Sequence, residues 1–295
     1  MASLSRPRVR APSVQMAAPL DPASFERIRD IVYARSGIVL EDDKLTLVAG
    51  RLARRLRALG LATPREYLGY LEADTSGDEL THLVDAMSTN VTGFFREPDH
   101  FDFIAQLHSR WASAGQRRFR YWCAAASSGE EPYTLAMTLH ALGTARLDLR
   151  ILATDISTAV LERAIAGAYP DAAVHAIPPQ HQARYFRREG AAGAAGEERY
   201  VVCDELRQLL TFRHLNLTHL PFQLQGPLDL IMCRNVMIYF DHQLRSRLVN
   251  EFARLLKPGG GLIISHSESL VGIDCELRMV RPSLYVKPVG SADPS

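Results

Sequence analysis

Two adjacent glutamates, Glu130 and Glu131, open a helical stretch directly after an apolar run that ends in small residues, Tyr121-Trp122-Cys123-Ala124-Ala125-Ala126-Ser127-Ser128-Gly129. Small side chains let a ligand lie against bare backbone, and the carboxylates select what that ligand can be. A phosphate cradle would need glycines and a lysine here, because anions gain from free amides and from the positive end of the helix dipole. Two glutamates repel phosphate; they accept hydrogen bonds from ribose hydroxyls and sit well near a cation. Asp155 fits the same chemistry, since it ends the next apolar run, Leu149-Arg150-Ile151-Leu152-Ala153-Thr154. An acid about 20 residues beyond the first turn of a βαβ unit is where nucleotide-binding sheets hold a ribose. The glycine-rich dinucleotide fingerprint is missing, so a nucleoside carrying a positive sulfonium, S-adenosylmethionine, suits these acids better than a dinucleotide. The ligand-free alternative is that both acids merely complement the helix dipole, with Pro132 in the first turn.

The elements that must hold these residues follow from periodicity. After about Arg118, apolar runs at Phe119–Cys123, Leu149–Ala153, Leu210–His214, Leu228–Cys233 and Gly261–Ser265 alternate mostly with helical stretches such as Thr134–Leu142, Thr158–Ala166 and His242–Leu256. This rhythm predicts a parallel sheet with helices on both faces. Glu276–Val280 and Ser283–Lys287, on either side of Arg281-Pro282, predict a closing antiparallel hairpin. Between Tyr185 and Glu205 a Gly-Ala stretch, Gly190 to Gly196, interrupts the rhythm. It reads as a plain flexible loop or as the tip of an inserted hairpin that offers an edge to a peptide.

From Ala23 to about Met87 the period is helical instead: Phe25, Ile28 and Ile31-Val32 share one face, as do Leu45, Val48, Leu52, Leu56 and Leu59, and later Leu80, Leu83-Val84 and Met87. Thr63-Pro64-Arg65-Glu66 has capping-box spacing. Arg51, Arg54, Arg55 and Arg57 lie between the leucines of the second helix and are expected to crowd outward. Such a face is either simply solvated or a docking surface for an acidic partner, since arginine pairs with carboxylates in bidentate geometry.

Composition sets outer limits. The 295 residues suggest one large or two smaller domains, and a net charge of +1 gives no global field for nucleic acid. Cys123, Cys203, Cys233 and Cys275 are scattered without a C-x-x-C pair, so they read as reduced thiols in a cytosolic protein, neither zinc ligands nor a disulfide framework. No apolar run approaches the roughly 18 residues of a membrane span. The first twenty residues, with Arg6, Arg8 and Arg10 among Pro, Ala and Ser, read as a disordered tail.

Three further clusters complete the pattern: Thr89-Asn90-Val91-Thr92-Gly93-Phe94-Phe95-Arg96-Glu97, Asn216-Leu217, and Cys233-Arg234-Asn235-Val236-Met237-Ile238-Tyr239-Phe240-Asp241. The first reads as a lid, aromatics inward and polar groups toward a ligand. Taken with Ala124–Tyr133, these motifs resemble those of the chemotaxis-receptor glutamate O-methyltransferases, the CheR family, in order and spacing over nearly the whole chain.

The resemblance implies an α/β fold: a Rossmann-like S-adenosylmethionine-dependent methyltransferase sheet with a closing antiparallel hairpin and a small inserted β-subdomain, preceded by an all-helical N-terminal domain. The corresponding boundaries are a tail at 1–20, the helical domain at 21–90, an interdomain segment and linker helix at 91–117, and the methyltransferase domain at 118–290 with its insertion at about 184–205. It implies that Asn90, Thr92 and Arg96 contact the cofactor from the interdomain segment. Glu131 and Asp155 then hold the sugar, while Asn216, Leu217, Arg234 and Asn235 lie along the adenine and methionine portions. Arg96 and Tyr239 become the pair nearest the transferring methyl group, with no metal.

The implied reaction gives glutamate methyl esters and S-adenosylhomocysteine for sensory adaptation, performed by a cytoplasmic monomer on the cytoplasmic domains of transmembrane chemoreceptors. The helix from Leu45 to Leu59 would dock on the receptor, and the β-subdomain would grip a receptor C-terminal peptide in some members. A substrate glutamate, with a pKa of about 4.3, is ionised at neutral pH and needs no general base. Positioning is then the main contribution. A nucleic-acid amine is a poorer substrate class, because Asn235-x-x-x-Tyr239 lacks the prolines of an N-P-P-Y turn. His266-Ser267-Glu268 has no nucleophile elbow beside it and reads as a polar strand end. The alternative from another class is a non-catalytic docking or sensor protein that binds S-adenosylmethionine.

Overall fold

In a computed structural model, residues 19–144, 147–190 and 198–289 are described. The expected N-terminal tail up to residue 18 and the Gly-Ala tip at 191–197 lie outside them. The chain divides into two compact units, one running to Val32 and from Leu40 to Met87, the other taking Tyr33–Val39 and everything from Ser88. The end of the first helix thus belongs with the second unit.

The first unit holds α1 (Pro22–Ser36) up to Val32, a 3-10 turn at Asp42–Lys44, α2 (Leu45–Leu59), α3 (Pro64–Ala73) and α4 (Asp78–Met87). Val48, Leu52 and Leu56 are the buried stripe of α2, one residue per turn. Gly60 ends that helix in the left-handed region, and Leu61 N–H reaches back to the Leu56 carbonyl, a glycine-terminated C-cap. The capping box of α3 forms: Thr63 Oγ1 accepts from Glu66 N–H at 3.2 Å. The Glu66 carboxylate reaches one residue further out than the simplest pattern, taking the Ala62 N–H at 2.8 Å.

The four arginines of α2 do not all face outward as expected. Arg54 and Arg57 are exposed, but Arg55 pairs through Nε and Nη2 with the buried Glu79, which also accepts from the Tyr67 hydroxyl at 2.7 Å. Arg51 donates to the Met87 carbonyl at 2.5 Å. A helical period marks which positions carry arginine, but not whether a neighbouring helix offers a carboxylate within reach.

The second unit is built on a seven-stranded sheet of order β6-β2-β1-β7-β8-β10-β9, where β1 is Arg118–Cys123, β2 Asp148–Asp155, β6 Leu210–His214, β7 Leu228–Met232, β8 Leu256–Ile263, β9 Arg278–Arg281 and β10 Leu284–Val286. The first five in that order pair in parallel, and β10 closes the sheet antiparallel to β8 and β9. Alternate residues of β1 enter two cores: Phe119, Tyr121 and Cys123 pack on one face, Trp122 and Ala124 on the other. A strand buried on both faces demands helices on both. The first core includes α5 (Pro98–Ser113) and α6 (Glu130–Ala141); the second includes α11 (His242–Leu255). Strand β8 begins five residues earlier than its apolar run suggested, at Leu256 against Gly261, because Lys257 to Gly260 is accommodated by an irregularity in its pairing with β7.

After α7 (Thr158–Ala166) the insertion forms its own three-stranded sheet, in the order β3 (Ala168–Pro170), β5 (Arg199–Val202), β4 (Phe186–Glu189), with α8 (Asp171–Val174) and α9 (Pro179–Tyr185) between its strands. The short α10 (Asp204–Arg207) leads back to β6. The hairpin expected around the Gly-Ala stretch is thus present, and it gains a third strand from before residue 184. Among the described residues, no helix is long and apolar enough to cross a membrane.

Candidate active site

The chain leaves β1 toward β2 and β6 on one side, then returns to β7 on the other, so a topological switch point lies between β1 and β7. Ligands of open α/β sheets bind outside the carboxyl ends of the strands at such a point. Each residue expected at the cofactor or the methyl group lies at or just past one of these strand ends, or in the segment Asn90–Arg96 that leads into α5.

The turn after β1 combines left-handed backbone with ties to neighbouring segments. Ser127 (φ 47°) and Gly129 (φ 99°) are left-handed, and a Cβ on Gly129 would lie 2.7 Å from the Tyr169 hydroxyl and 2.9 Å from Ala164 Cβ. Only glycine fits there. Asp155 receives the Ser127 N–H on Oδ2 at 2.8 Å and the Ser157 N–H on Oδ1 at 3.0 Å, tying the ends of β1 and β2 together. The Ser127 hydroxyl donates to the Asn90 carbonyl at 3.2 Å, which brings the lead-in segment to the same turn. Phe94 is buried against Tyr169 and Phe186, and Phe95 stacks on His181, so the aromatic pair packs inward as expected of a lid.

Arg234, just past β7, is the hub. Its side chain is 1 % exposed; Nη1 donates to Glu131 Oε2 at 2.7 Å, and Nη2 lies 3.0 Å from Glu97 Oε2 and donates to the Arg96 carbonyl at 2.6 Å. One guanidinium thus joins the acid of the first turn to the backbone of Arg96. Burial works against its charge, but the two carboxylates outweigh that and raise its pKa. Burial pushes the Glu131 carboxyl up despite Arg234, whereas for Glu97 the same burial is overcome by Arg234 and Ser265 and its pKa falls. Glu131 Oε1 is buried and has no hydrogen-bond partner. Arg96 itself is exposed, flanked by left-handed Phe95 and Glu97, and its Nη1 donates to the Val91 carbonyl at 3.0 Å.

The turn after Arg234 is held from a distance. Asn235 (φ 59°) donates from Nδ2 to Ser265 Oγ at 2.6 Å, and Met237–Tyr239 is a single 3-10 turn. Glu268 accepts from the N–H groups of Ser265, Asn235, Val236 and Met237 at 2.8 to 3.1 Å. Burial drives its carboxyl pKa up against the pull of those donors. The Tyr239 carbonyl accepts from Val39 N–H at 2.8 Å, so the strap from the end of α1 reaches this turn. Gly37 in that strap (φ 70°) has no room for a Cβ, which would meet Leu244 Cδ2 at 2.5 Å.

The remaining expected residues are less joined. Leu217 is buried. The Asn216 amide is already engaged: Nδ2 donates to the Arg35 carbonyl at 2.6 Å, and Oδ1 accepts from the Thr218 N–H and hydroxyl, both at 2.9 Å. Asn216 therefore shapes its loop as an Asx turn. Among the described residues, no hydrogen bond ties the Thr92 side chain or the Tyr239 hydroxyl to this network.

Two residues that sequence reasoning left out of the site are central to it. Glu97 closes the motif that begins at Thr89, and that placement was its only signal. Glu268 was set aside as a polar strand end. Ligand atoms of Glu97, His100 and His266 lie within 4.8 Å of one another. Glu97 is already occupied there, by Arg234, by the Ser265 hydroxyl at 3.0 Å and by His266 N–H at 3.3 Å. We therefore read the cluster as a brace around Arg234.

The site suits S-adenosylmethionine by its own chemistry. Glu131 Oε1 is an unused buried acceptor for a hydroxyl or ammonium donor, only alanine methyls stand at 124–126, and the acids outnumber Arg234 in its network. Strand order and site together define a Rossmann-like S-adenosylmethionine-dependent methyltransferase preceded by an all-helical domain.

More narrowly, the chain belongs to the CheR methyltransferase family: the family's "CheR methyltransferase, SAM binding domain" matches residues 90–286, and its "all-alpha domain" matches residues 23–88. The chemotaxis protein methyltransferase of Escherichia coli K12 is 41 % identical over 268 residues, covering 90 % of this chain and 91 % of the relative. Chemotaxis protein methyltransferase 2 of Pseudomonas aeruginosa is 41 % identical over 262 residues, covering 88 % and 91 %. The Borreliella burgdorferi chemotaxis protein methyltransferase is 36 % identical, covering 89 % and 93 %.

Proposed function

We propose that this protein methylates glutamate side-chain carboxylates on the cytoplasmic domains of transmembrane chemoreceptors. The observation that carries the reading is the grip of Arg234 on the Arg96 carbonyl at 2.6 Å and on Glu131 at 2.7 Å. It ties the exposed Arg96 to the cofactor turn while leaving its guanidinium able to receive an incoming carboxylate by charge-assisted hydrogen bonds. The names of the relatives place them in chemotaxis.

Bound S-adenosylmethionine supplies an electrophilic methyl group on a sulfonium. Transfer from that sulfonium to a carboxylate would leave a neutral thioether with no proton to move, so no residue of this chain need act as a base. Arg96 orients the carboxylate and Tyr239 donates to its second oxygen, so alignment supplies most of the rate. Arg96 must hold the carboxylate lightly, because its charge disappears in the product. Asn90, Thr92, Glu131, Asp155, Asn216, Leu217, Arg234 and Asn235 seat the cofactor, with Asn216 acting through the shape of its loop. Arg54 and Arg57, the exposed pair of α2, meet the acidic receptor bundle, and the edge of the inserted sheet is where a receptor C-terminal peptide would add a strand.

The test is transfer of labelled methyl from S-adenosylmethionine into receptor-rich membranes, with and without the receptors' terminal tails. Base-labile carboxyl esters are expected. Base-stable label would mean amine methylation, and no label would mean a binding module.

A further inference from the structure

We infer that Glu268 is a positioning residue for methyl transfer, setting the turn that carries Tyr239 from the connection after β8. The inference rests on Tyr239 acting on the acceptor side, as proposed above.

The turn has little of its own to fix it. Asn235 is left-handed, and the 3-10 turn is closed only by Tyr239 N–H to the Val236 carbonyl and Phe240 N–H to the Met237 carbonyl, each at 3.1 Å. The N–H groups that open a 3-10 turn have no partner within it. Glu268 takes them: Oε1 accepts from Val236 at 3.0 Å and from Met237 at 2.9 Å. Oε2 accepts from Asn235 at 3.1 Å and from Ser265 at 2.8 Å. The last of these anchors the turn after β7 to the end of β8, so its register is set by the sheet. Ser265 Oγ continues the chain, receiving Asn235 Nδ2 at 2.6 Å and donating to Glu97 Oε1 at 3.0 Å, and Glu97 in turn holds Arg234.

A carboxylate accepts about four hydrogen bonds, and here four backbone donors fill it. Glu268 thus has no capacity left for a ligand, a metal or a proton-transfer role, and its action must pass through the backbone it holds. Glutamine cannot replace it. One of its two terminal atoms would be an NH2 facing two N–H donors, which removes two acceptors and adds a donor-donor repulsion. Aspartate keeps both oxygens but falls one methylene short.

A double-mutant cycle tests the role. Single-turnover methyl transfer and S-adenosylhomocysteine affinity are measured for the wild type, Glu268→Gln, Tyr239→Phe and the double variant. Glu268→Gln should slow transfer roughly tenfold or more while changing affinity by less than about threefold, and the double variant should be no slower than the slower single variant. Should Glu268→Gln not fold, Glu268→Asp carries the same cycle, with a smaller loss and the same non-additivity. Multiplicative losses, or full rate without Glu268, would overturn the inference and leave the acceptor-side reading of Tyr239 intact. A wild-type rate in Tyr239→Phe would instead remove that reading, and the inference with it.

Discussion

The turns after β1 and after β7 face the same switch point but are built differently. The first takes its shape from the residue types within it, small residues, a glycine that nothing larger could replace and an acid-opened helix, and is tied down by Asp155 and the Asn90 carbonyl. The second is held by distant side and main chains, with Glu268 on its N–H groups, Val39 on its last carbonyl and Ser265 on Asn235. In the proposed roles, the cofactor seat is shaped largely by the residues within it, whereas the acceptor-side turn draws its geometry from the sheet and from the strap at Tyr33–Val39.

Arg234 joins the two turns, so removing it should break the comparison outright. Arg234→Met leaves Glu97 and Glu131 as buried charges without a counter-ion and should cost about 3–5 kcal/mol. Denaturant titration measures it. Arg234→Lys should recover only part, because one ammonium cannot serve Glu131, Glu97 and the Arg96 carbonyl together.

The strap gives a sharper, smaller break. Gly37→Ala places a methyl where Leu244 Cδ2 and Thr218 Cγ2 already stand, in a left-handed conformation. A loss of roughly 1–3 kcal/mol is expected. Methyl transfer should fall further than the stability loss explains, because Val39 and its bond to Tyr239 are displaced. A fragment starting at Ser88 should show the same defect, with the Asn216 amide and the Tyr239 carbonyl stripped of their partners in the strap.

Acid should loosen the brace around Arg234. Burial, then Arg234, lowers the His100 pKa to about 4. An unfolded histidine titrates near 6.5, so the unfolded chain binds the extra proton first, and the stability present above about pH 6.5 is lost as pH falls toward 4. His100→Gln should flatten that limb of the stability profile by on the order of 1–3 kcal/mol. Thermal unfolding across pH 4 to 7 reads it.

The smallest effect on the fold is expected outside both turns. Reversing Arg54 and Arg57 to Glu should change stability by no more than about 0.5 kcal/mol, with cofactor affinity unchanged and receptor methylation impaired. Normal receptor methylation would remove α2 as the docking helix.

What could be read from the sequence follows the same division. The five parallel strands, the closing hairpin, the helical first unit and the acids after β1 and β2 were all legible, because each is signalled by periodicity or by neighbours in the chain. Glu268 was not, because its partners in the turn after β7 lie 31 to 33 residues away, and no local pattern distinguishes a carboxylate that holds a turn from one in solvent. The inward turn of Arg55 onto Glu79 and the commitment of the Asn216 amide to Arg35 escaped for the same reason. The strap at Tyr33–Val39 carries no signal in the sequence, since its purpose appears only when Val39 meets Tyr239.

The division of labour between the turns is tested most directly by pairing Glu131→Gln with Tyr239→Phe and measuring S-adenosylhomocysteine affinity by calorimetry alongside single-turnover methyl transfer. Glu131→Gln should weaken binding by about tenfold or more, while Tyr239→Phe should bind within about twofold of the wild type and transfer at least about tenfold more slowly. Parallel losses of affinity and rate in Tyr239→Phe, or unchanged affinity in Glu131→Gln, would contradict it.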